Sequence, residues 1–220
     1  MCRKFLARPG STANFNHHGA SLNRIVKFLT SFVSLAILIL FAQASLSPVH
    51  AQATTWQIDP AHANAQFRVS HLGISNVQGE FTKVIGTVQL DEKDVTKSVV
   101  NATIDVSTVY TRNDDRDKDL KENFFEAAKF PTMTFVSKSI IRGADGKLQM
   151  TGDFTLHGIT KSVTFAVDGP TGAIKDPWGN QRRGASATTT IRRSDFGITK
   201  DAGMVGDDIA IALDIEMFRK

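Results

Sequence analysis

The sequence predicts an all-β fold of antiparallel strands with one short helix inserted among them. Three observations carry this reading. Apolar and polar residues alternate with a period of two in one segment after another, as strands with one buried face require. Turn-forming groups separate those segments, among them Asp145-Gly146, His157-Gly158, Asp168-Gly169-Pro170 and Trp178-Gly179-Asn180. A single stretch, 114–129, abandons the alternation for a period near four.

The first element is a leader rather than a strand. Residues 28–42, FLTSFVSLAILILFA, form an uncharged apolar run behind Arg24 and Lys27, and the small residues Ala51 and Ala53 follow it. A positive flank, an apolar core and an A-x-A-like exit make a secretory signal peptide. About 15 apolar residues is short for a bilayer span, which needs ~20. The expected division is therefore 1–51 as signal peptide with a long basic start and 52–220 as one domain. Cleavage is expected near Ala51 or Ala53, with a periplasmic product that keeps no stable membrane span. The charge agrees. Of 26 basic residues, five lie in 1–51, which holds no Asp or Glu; the remaining 21 face 22 acidic residues, a net of −1. The overall charge of +4 therefore belongs to the leader, and nucleic acid is not an expected partner. The one cysteine, Cys2, also lies there, so the domain has no disulfide and no thiol nucleophile.

Strands follow in order at 54–59, 64–70 and 79–90, with Gly86 marking a bulge or bend in the last. Residues 98–106, SVVNATIDV, set Val100, Ala102, Ile104 and Val106 on one face. In 114–129, DDRDKDLKENFFEAAK, Leu120, Phe124 and Ala128 recur every four residues. Acidic residues open the stretch, Lys129 closes it and Pro131 stops it, which predicts a short amphipathic helix. Further strands are expected at 132–141, 147–157 with Leu148, Met150, Phe154 and Leu156 on one side, 161–168 with Val163, Phe165 and Val167, and 184–193. The clearest is 208–217, where Ile209, Ile211, Leu213, Ile215 and Met217 alternate with smaller or charged residues. Eight or more such strands fit a sandwich or a closed barrel, and the pattern alone does not choose between them.

Five ordered stretches go further: WQIDPAHANAQFRVSHLGISNVQGEF, TRNDDRDKDLKENFFEAAKFPTMTF, TGDFTLHGITKSVTF, IRRSDFGI and VGDDIAI. Together, over about residues 54–218, they resemble the YceI-like family of secreted, lipocalin-like, polyisoprenoid-binding barrels. The resemblance implies an antiparallel eight-stranded β-barrel with a helix near one end. It also implies a bound long isoprenoid, polyprenyl phosphate or quinone-like, or a similar long-chain lipid, and no catalysis or cofactor. Three positions depart from the family pattern: Ala63 stands where Ser is usual, Asp119 where His is frequent and Asn123 where Asp is usual. They fall around the expected mouth of the pocket and leave the head group open.

The expected ligand-binding residues are Phe67, Phe135, Phe154 and Phe165 on apolar strand faces, His62 and His71 in the first motif, and Arg112 and Arg116 beside the helix. Guanidinium groups suit a pyrophosphate because they match its oxygens in bidentate fashion; surface ion pairs with Asp114, Asp115 and Asp117 would use the same side chains. Catalytic and metal residues are expected to be none. Asp115, Asp117, Asp119 and Glu126 have the carboxylate spacing of a calcium loop, but Leu120 occupies the position that needs glycine. The histidines lack close ligand spacing, and no Walker loop or nucleophile elbow occurs. An enzyme acting on a lipid or quinone precursor, or a filled barrel serving as an interaction module, are the alternative functions. A homodimer is a further expected form of assembly.

Overall fold

The computed structural model describes residues 53–220. The expected leader, with its apolar run 28–42, lies outside the described residues. Eleven strands and one short helix appear: β1 (Thr54–His71), β2 (Ser75–Phe81), β3 (Val84–Leu90), β4 (Val99–Asp105), β5 (Val109–Tyr110), α1 (Asp114–Asp119), β6 (Thr132–Arg142), β7 (Leu148–Leu156), β8 (Ile159–Asp168), β9 (Ile174–Lys175), β10 (Gln181–Arg192) and β11 (Val205–Arg219). β2 and β3 run in line along β1, and β4 and β5 continue one another in the same way. The wall thus has eight positions in the order β1, β2/β3, β4/β5, β6, β7, β8, β10, β11. β1 then pairs with β11 from Gln57↔Phe218 to His71↔Val205, and the sheet closes into an antiparallel barrel. All these pairings fall within 54–219, and the described residues form one compact unit.

Local chemistry explains where the elements differ from expectation. The segments 54–59 and 64–70 are one strand, interrupted by a register shift between Ile58 and Ala63 where Pro60 cannot donate to the ladder. Asp59 stabilises the bulge by accepting the Ala61 N–H at 3.0 Å. The strand expected over 79–90 instead breaks at Thr82-Lys83. Gly86 makes no bulge, since β3 pairs with β4 without interruption through Gly86↔Ala102. Its role is close approach: a Cβ at 86 would sit 2.1 Å from the Asn101 carbonyl oxygen.

The helix is shorter than the four-residue period suggested. Asn113 caps it by accepting the Arg116 N–H at 2.8 Å, and the α-helical hydrogen bonding ends at Asp119. Leu120–Phe124 then widens into a π turn, in which the Phe125 N–H donates to Leu120 O at 2.8 Å. Glu126 adopts φ 45°, so 125–129 is turn rather than helix. The wider turn lets Leu120, Phe124 and Phe125 all contribute to one internal wall.

Alternate residues of each strand point inward. Phe135, Phe154 and Phe165 are buried; Phe135 packs edge-on against Phe165 with centroids 5.2 Å apart, and Phe154 does so against Phe196 at 5.6 Å. Among the described residues no helix is long and apolar enough to cross a membrane.

Because the Gly86 neighbour is backbone, Gly86→Ala cannot be absorbed by a rotamer change. The substitution is expected to lower unfolding free energy by at least ~1–3 kcal/mol, the usual cost of overpacking, and a reduced urea midpoint checks it.

Candidate functional site

The barrel encloses a cavity of about 240 Å³. Inward residues from each of the eight wall positions supply it, and the π turn after α1 adds Leu120, Phe124 and Phe125. Nearly the whole lining is aliphatic or aromatic. Ile209, Ile211, Leu213 and Ile215 of β11 face this space and are only half-buried, because the opposite wall does not reach them. Among the described residues Arg193 is the one charged side chain in the lining. It is buried, and its guanidinium donates to the carbonyls of Gly206 (2.9 Å), Ile198 (2.9 Å), Lys200 (2.7 Å) and Val205 (2.9 Å). Four carbonyl dipoles thus solvate the charge in place of water.

The two ends of the barrel are closed differently. At the end where β1 begins, Trp56 is fully buried with Val88, Leu90 and Met217, and the guanidinium groups of Arg183 and Arg219 lie over its ring at 5.2 and 5.0 Å from the centroid. This stopper is made of strand residues. At the other end the cover is the segment from α1 to Phe130, held by side chains. Lys200 Nζ donates to Asp119 Oδ1 at 2.5 Å, Asn123 Nδ2 donates to the same oxygen at 2.7 Å, and His157 Nε2 lies 2.5 Å from Glu126 Oε2. Two of the positions that depart from the family pattern, Asp119 and Asn123, therefore belong to one latch; Ala63 is buried opposite Ile215.

Phe67, Phe135, Phe154 and Phe165 all line the cavity. The four polar residues expected around the mouth are not part of the lining. His71 is exposed at the end of β1, opposite Ser75. His62 projects from the β1 bulge toward Asp59, its Nδ1 3.0 Å from Asp59 Oδ2, at the Trp56 end. Arg112 is exposed at φ 64° and borders an outer groove with Arg68 and Tyr110. Arg116 turns back on the chain, its Nε donating to Thr111 Oγ1 at 2.8 Å and Nη2 to Thr111 O at 2.7 Å. The buried Asp117 accepts the Thr111 N–H at 2.8 Å from the other side. The carboxylates with calcium-loop spacing diverge in this way: Asp117 toward Thr111, Asp119 toward Lys200 and Glu126 toward His157. Of the further basic side chains that the sequence offers a head group, Lys161, Arg182, Arg183, Arg192 and Arg193, only Arg193 is in the lining. The doubled Arg192-Arg193 was a signal only that one of the two alternates inward.

Asp59, His62 and Glu216 offer ligand atoms within 4.8 Å of one another, but a guanidinium already bridges two of them. Arg182 Nη1 donates to Asp59 Oδ2 at 2.7 Å and to Glu216 Oε1 at 2.5 Å, and Nε donates to Asp176 Oδ2 at 2.8 Å. The Arg182 hydrogen bond holds Asp59 down at about 2 against the opposing effect of burial, with His62 assisting. Burial pushes Asp176 up, but hydrogen bonds from Arg182, Asn180 and Trp178 outweigh it and hold it at about 2. The three carboxylates raise Arg182 in turn.

A YceI-like domain matches residues 56–217. A UPF0312 protein of Vibrio parahaemolyticus is 39% identical over 160 residues, which are 71% of this chain and 84% of that protein. The crystal structure of a Campylobacter jejuni YCEI protein is 31% identical with a TM-score of 0.61, covering 69% of this chain and 90% of that one. A structure described as a polyisoprenoid binding domain from Saccharophagus degradans, implicated in plant cell wall breakdown, is 13% identical with a TM-score of 0.56, covering 75% and 98%.

Two predictions follow from this geometry. Both aspartates titrate lower in the fold than the ordinary 3.8, so their contribution to stability is complete above that value and fades as pH falls toward 2. Thermal melts across this range are expected to show that loss, and Arg182→Met is expected to lower the melting temperature at neutral pH and flatten the acid dependence. Arg116→Ala is expected to cost ~1–2 kcal/mol through its lost bonds to Thr111, whereas Arg112→Ala stays within ~0.5 kcal/mol; denaturant titration of the two variants separates them.

Proposed function

The chain belongs to the YceI-like family, and on that premise we propose that it is a non-catalytic binding protein whose barrel shields a long isoprenoid, or a lipid of similar chain, from water. The observation that carries the reading is the lining, which is apolar from the Trp56 stopper to the π turn and holds one charge. A hydrocarbon chain needs nothing more, since each buried CH₂ contributes about 0.8 kcal/mol without a specific polar contact. The hydroxyls at the wall would need a general base beside them to act as nucleophiles. The wall's polar members are Gln66, Ser98, Thr134, Ser186 and Arg193, with no histidine or carboxylate among the described residues. The structural neighbour described as a polyisoprenoid binding domain supports the same class of ligand.

The cavity falls just below the ~300–1,000 Å³ of typical small-ligand pockets. A long chain is accommodated by the half-buried β11 side chains, which have room to change rotamer. Arg193 orients the cargo: a polar head, polyprenyl phosphate or quinone-like, lies toward the latched end and the tail runs toward Trp56. The reading includes export, with the 28–42 run removed and the barrel working in the periplasm; Arg24, Lys27 and the small residues at Ala51 and Ala53 support it.

Mass spectrometry of an organic extract of purified protein tests the proposal. A near-stoichiometric long-chain lipid is expected, and an empty extract from protein that also fails to take up an added polyprenol would overturn it. Ala187 lies in the lining with a buried side chain, so Ala187→Phe puts a ring into the cavity. This variant is expected to lose at least tenfold in affinity for a long polyprenol and less for a short one, measured by competition with a fluorescent probe.

A further inference from the structure

The latched end of the barrel carries an apolar surface that the cargo does not use. In the β1–β2 turn Leu72 is 51% exposed and Ile74 84% exposed, and in the β10–β11 connection Met204 is 50% exposed. The two turns form one unit, because the Leu72 N–H donates to Met204 O at 2.7 Å. The segment 69–77, VSHLGISNV, contains no Lys, Arg, Asp or Glu. Leu72 is at φ 52° and Gly73 at φ 71°, left-handed positions that favour Gly, Asn or Asp. A leucine there is unfavourable twice, in its backbone and in its exposure to water, and nothing within the barrel compensates for either.

We propose that this end docks on a lipid bilayer, with Leu72, Ile74 and Met204 entering the interfacial layer so that cargo passes between membrane and cavity without crossing water. Position supports it. Val69 and Val205, next to the two turns, line the cavity. The cover at this end is fastened by side-chain bonds, whereas the Trp56 stopper belongs to the strands themselves and opens only if ladders break. The size of the patch selects the occupant. Three side chains on two turns fall far short of the 20–30 residues per side of a stable protein interface, so a second copy is not the fit. Shallow insertion of a few apolar side chains into a bilayer is a different regime, whose strength follows buried apolar area. The β1–β2 turn is uncharged, and beside Met204 the charges are Asp201 and a Lys200 already paired with Asp119, so no free cation draws anionic lipid and binding depends little on salt. The proposal adds a partner to the carrier reading and stands on residues that do not hold cargo.

Flotation of the 53–220 chain with cargo-free vesicles of phosphatidylethanolamine and phosphatidylglycerol tests it, because the barrel closes on itself without the leader. Wild-type protein is expected to float at low and high salt. The double variant Leu72→Gly, Ile74→Asp is expected to lose at least tenfold in partitioning and, in a separate assay with polyprenol-loaded vesicles, to accept polyprenol more slowly. It should melt at or above the wild-type temperature, since glycine suits the left-handed position, and load normally from detergent. Trp178, exposed at the opposite end, is the control: Trp178→Ser should leave flotation intact. The proposal is overturned if wild-type protein does not float, if the double variant floats equally well, or if Trp178→Ser abolishes the effect. A concentration-dependent dimer that the double variant loses would also overturn it, by assigning the patch to self-association. Flotation needs no cargo, so an empty extract with intact flotation would remove the carrier reading and leave the docking surface.

Discussion

The pairing of β1 with β11 is the constraint on which the rest depends. These are the first and last strands of the described chain, and their ladder turns an open sheet into a barrel with no free edge along that seam. Closure makes the inward face a sealed interior. Without it, Ile209, Ile211, Leu213 and Ile215 would be a strip of aliphatic side chains in water. With it, they are one wall of an enclosed space. The seam also brings Glu216 of β11 and Asp59 of the β1 bulge to Arg182 at the start of β10, and these groups tie three strands together at one end.

Closure alone does not leave a cavity, and the distribution of side-chain volume does. The rings of Phe135, Phe154 and Phe165 cluster on β6, β7 and β8, where they pack against one another or Phe196. The flanking strands β4 and β10 present Ala102 and Ala187 to the same space, and β1 presents Ala65. Alanines set among the large side chains leave the middle unfilled, at the cost of dispersion contacts that a tight core would make. A protein that only needed stability would have no reason to accept that loss, and a chain bound as proposed would restore those contacts.

The covering segment shows how polar chemistry serves an apolar site. Its π turn brings Leu120, Phe124 and Phe125 to the lining, while Arg116 and Asp117 grip Thr111 and Asp119 reaches Lys200. Side chains suited to an anionic head group are here spent on holding the cover. The buried positive charge at the cavity is Arg193 instead, solvated by carbonyls of the connection that follows β10.

Much of this was legible in order along the chain. The period-two alternation located the strands, the turn groups located their ends, and the inward phenylalanines followed from parity, because in a strand the facing of a side chain is fixed by its neighbours. The choice between sandwich and barrel was not legible from alternation, since a strand has one buried face in either; the ordered motifs supplied it. Other features were decided only by tertiary structure. Gly86 reads as a bend until the Asn101 backbone is seen against it. A four-residue period does not reveal where α-helical bonding yields to a π turn, because that depends on what Phe124 and Phe125 find inside the barrel. Arg116 and Arg193 are equally basic in the sequence, yet one folds back on Thr111 and the other enters the cavity wall. Local pattern determines which way a side chain faces. Which groups meet it depends on strands far apart in sequence, brought together by the closing ladder between β1 and β11.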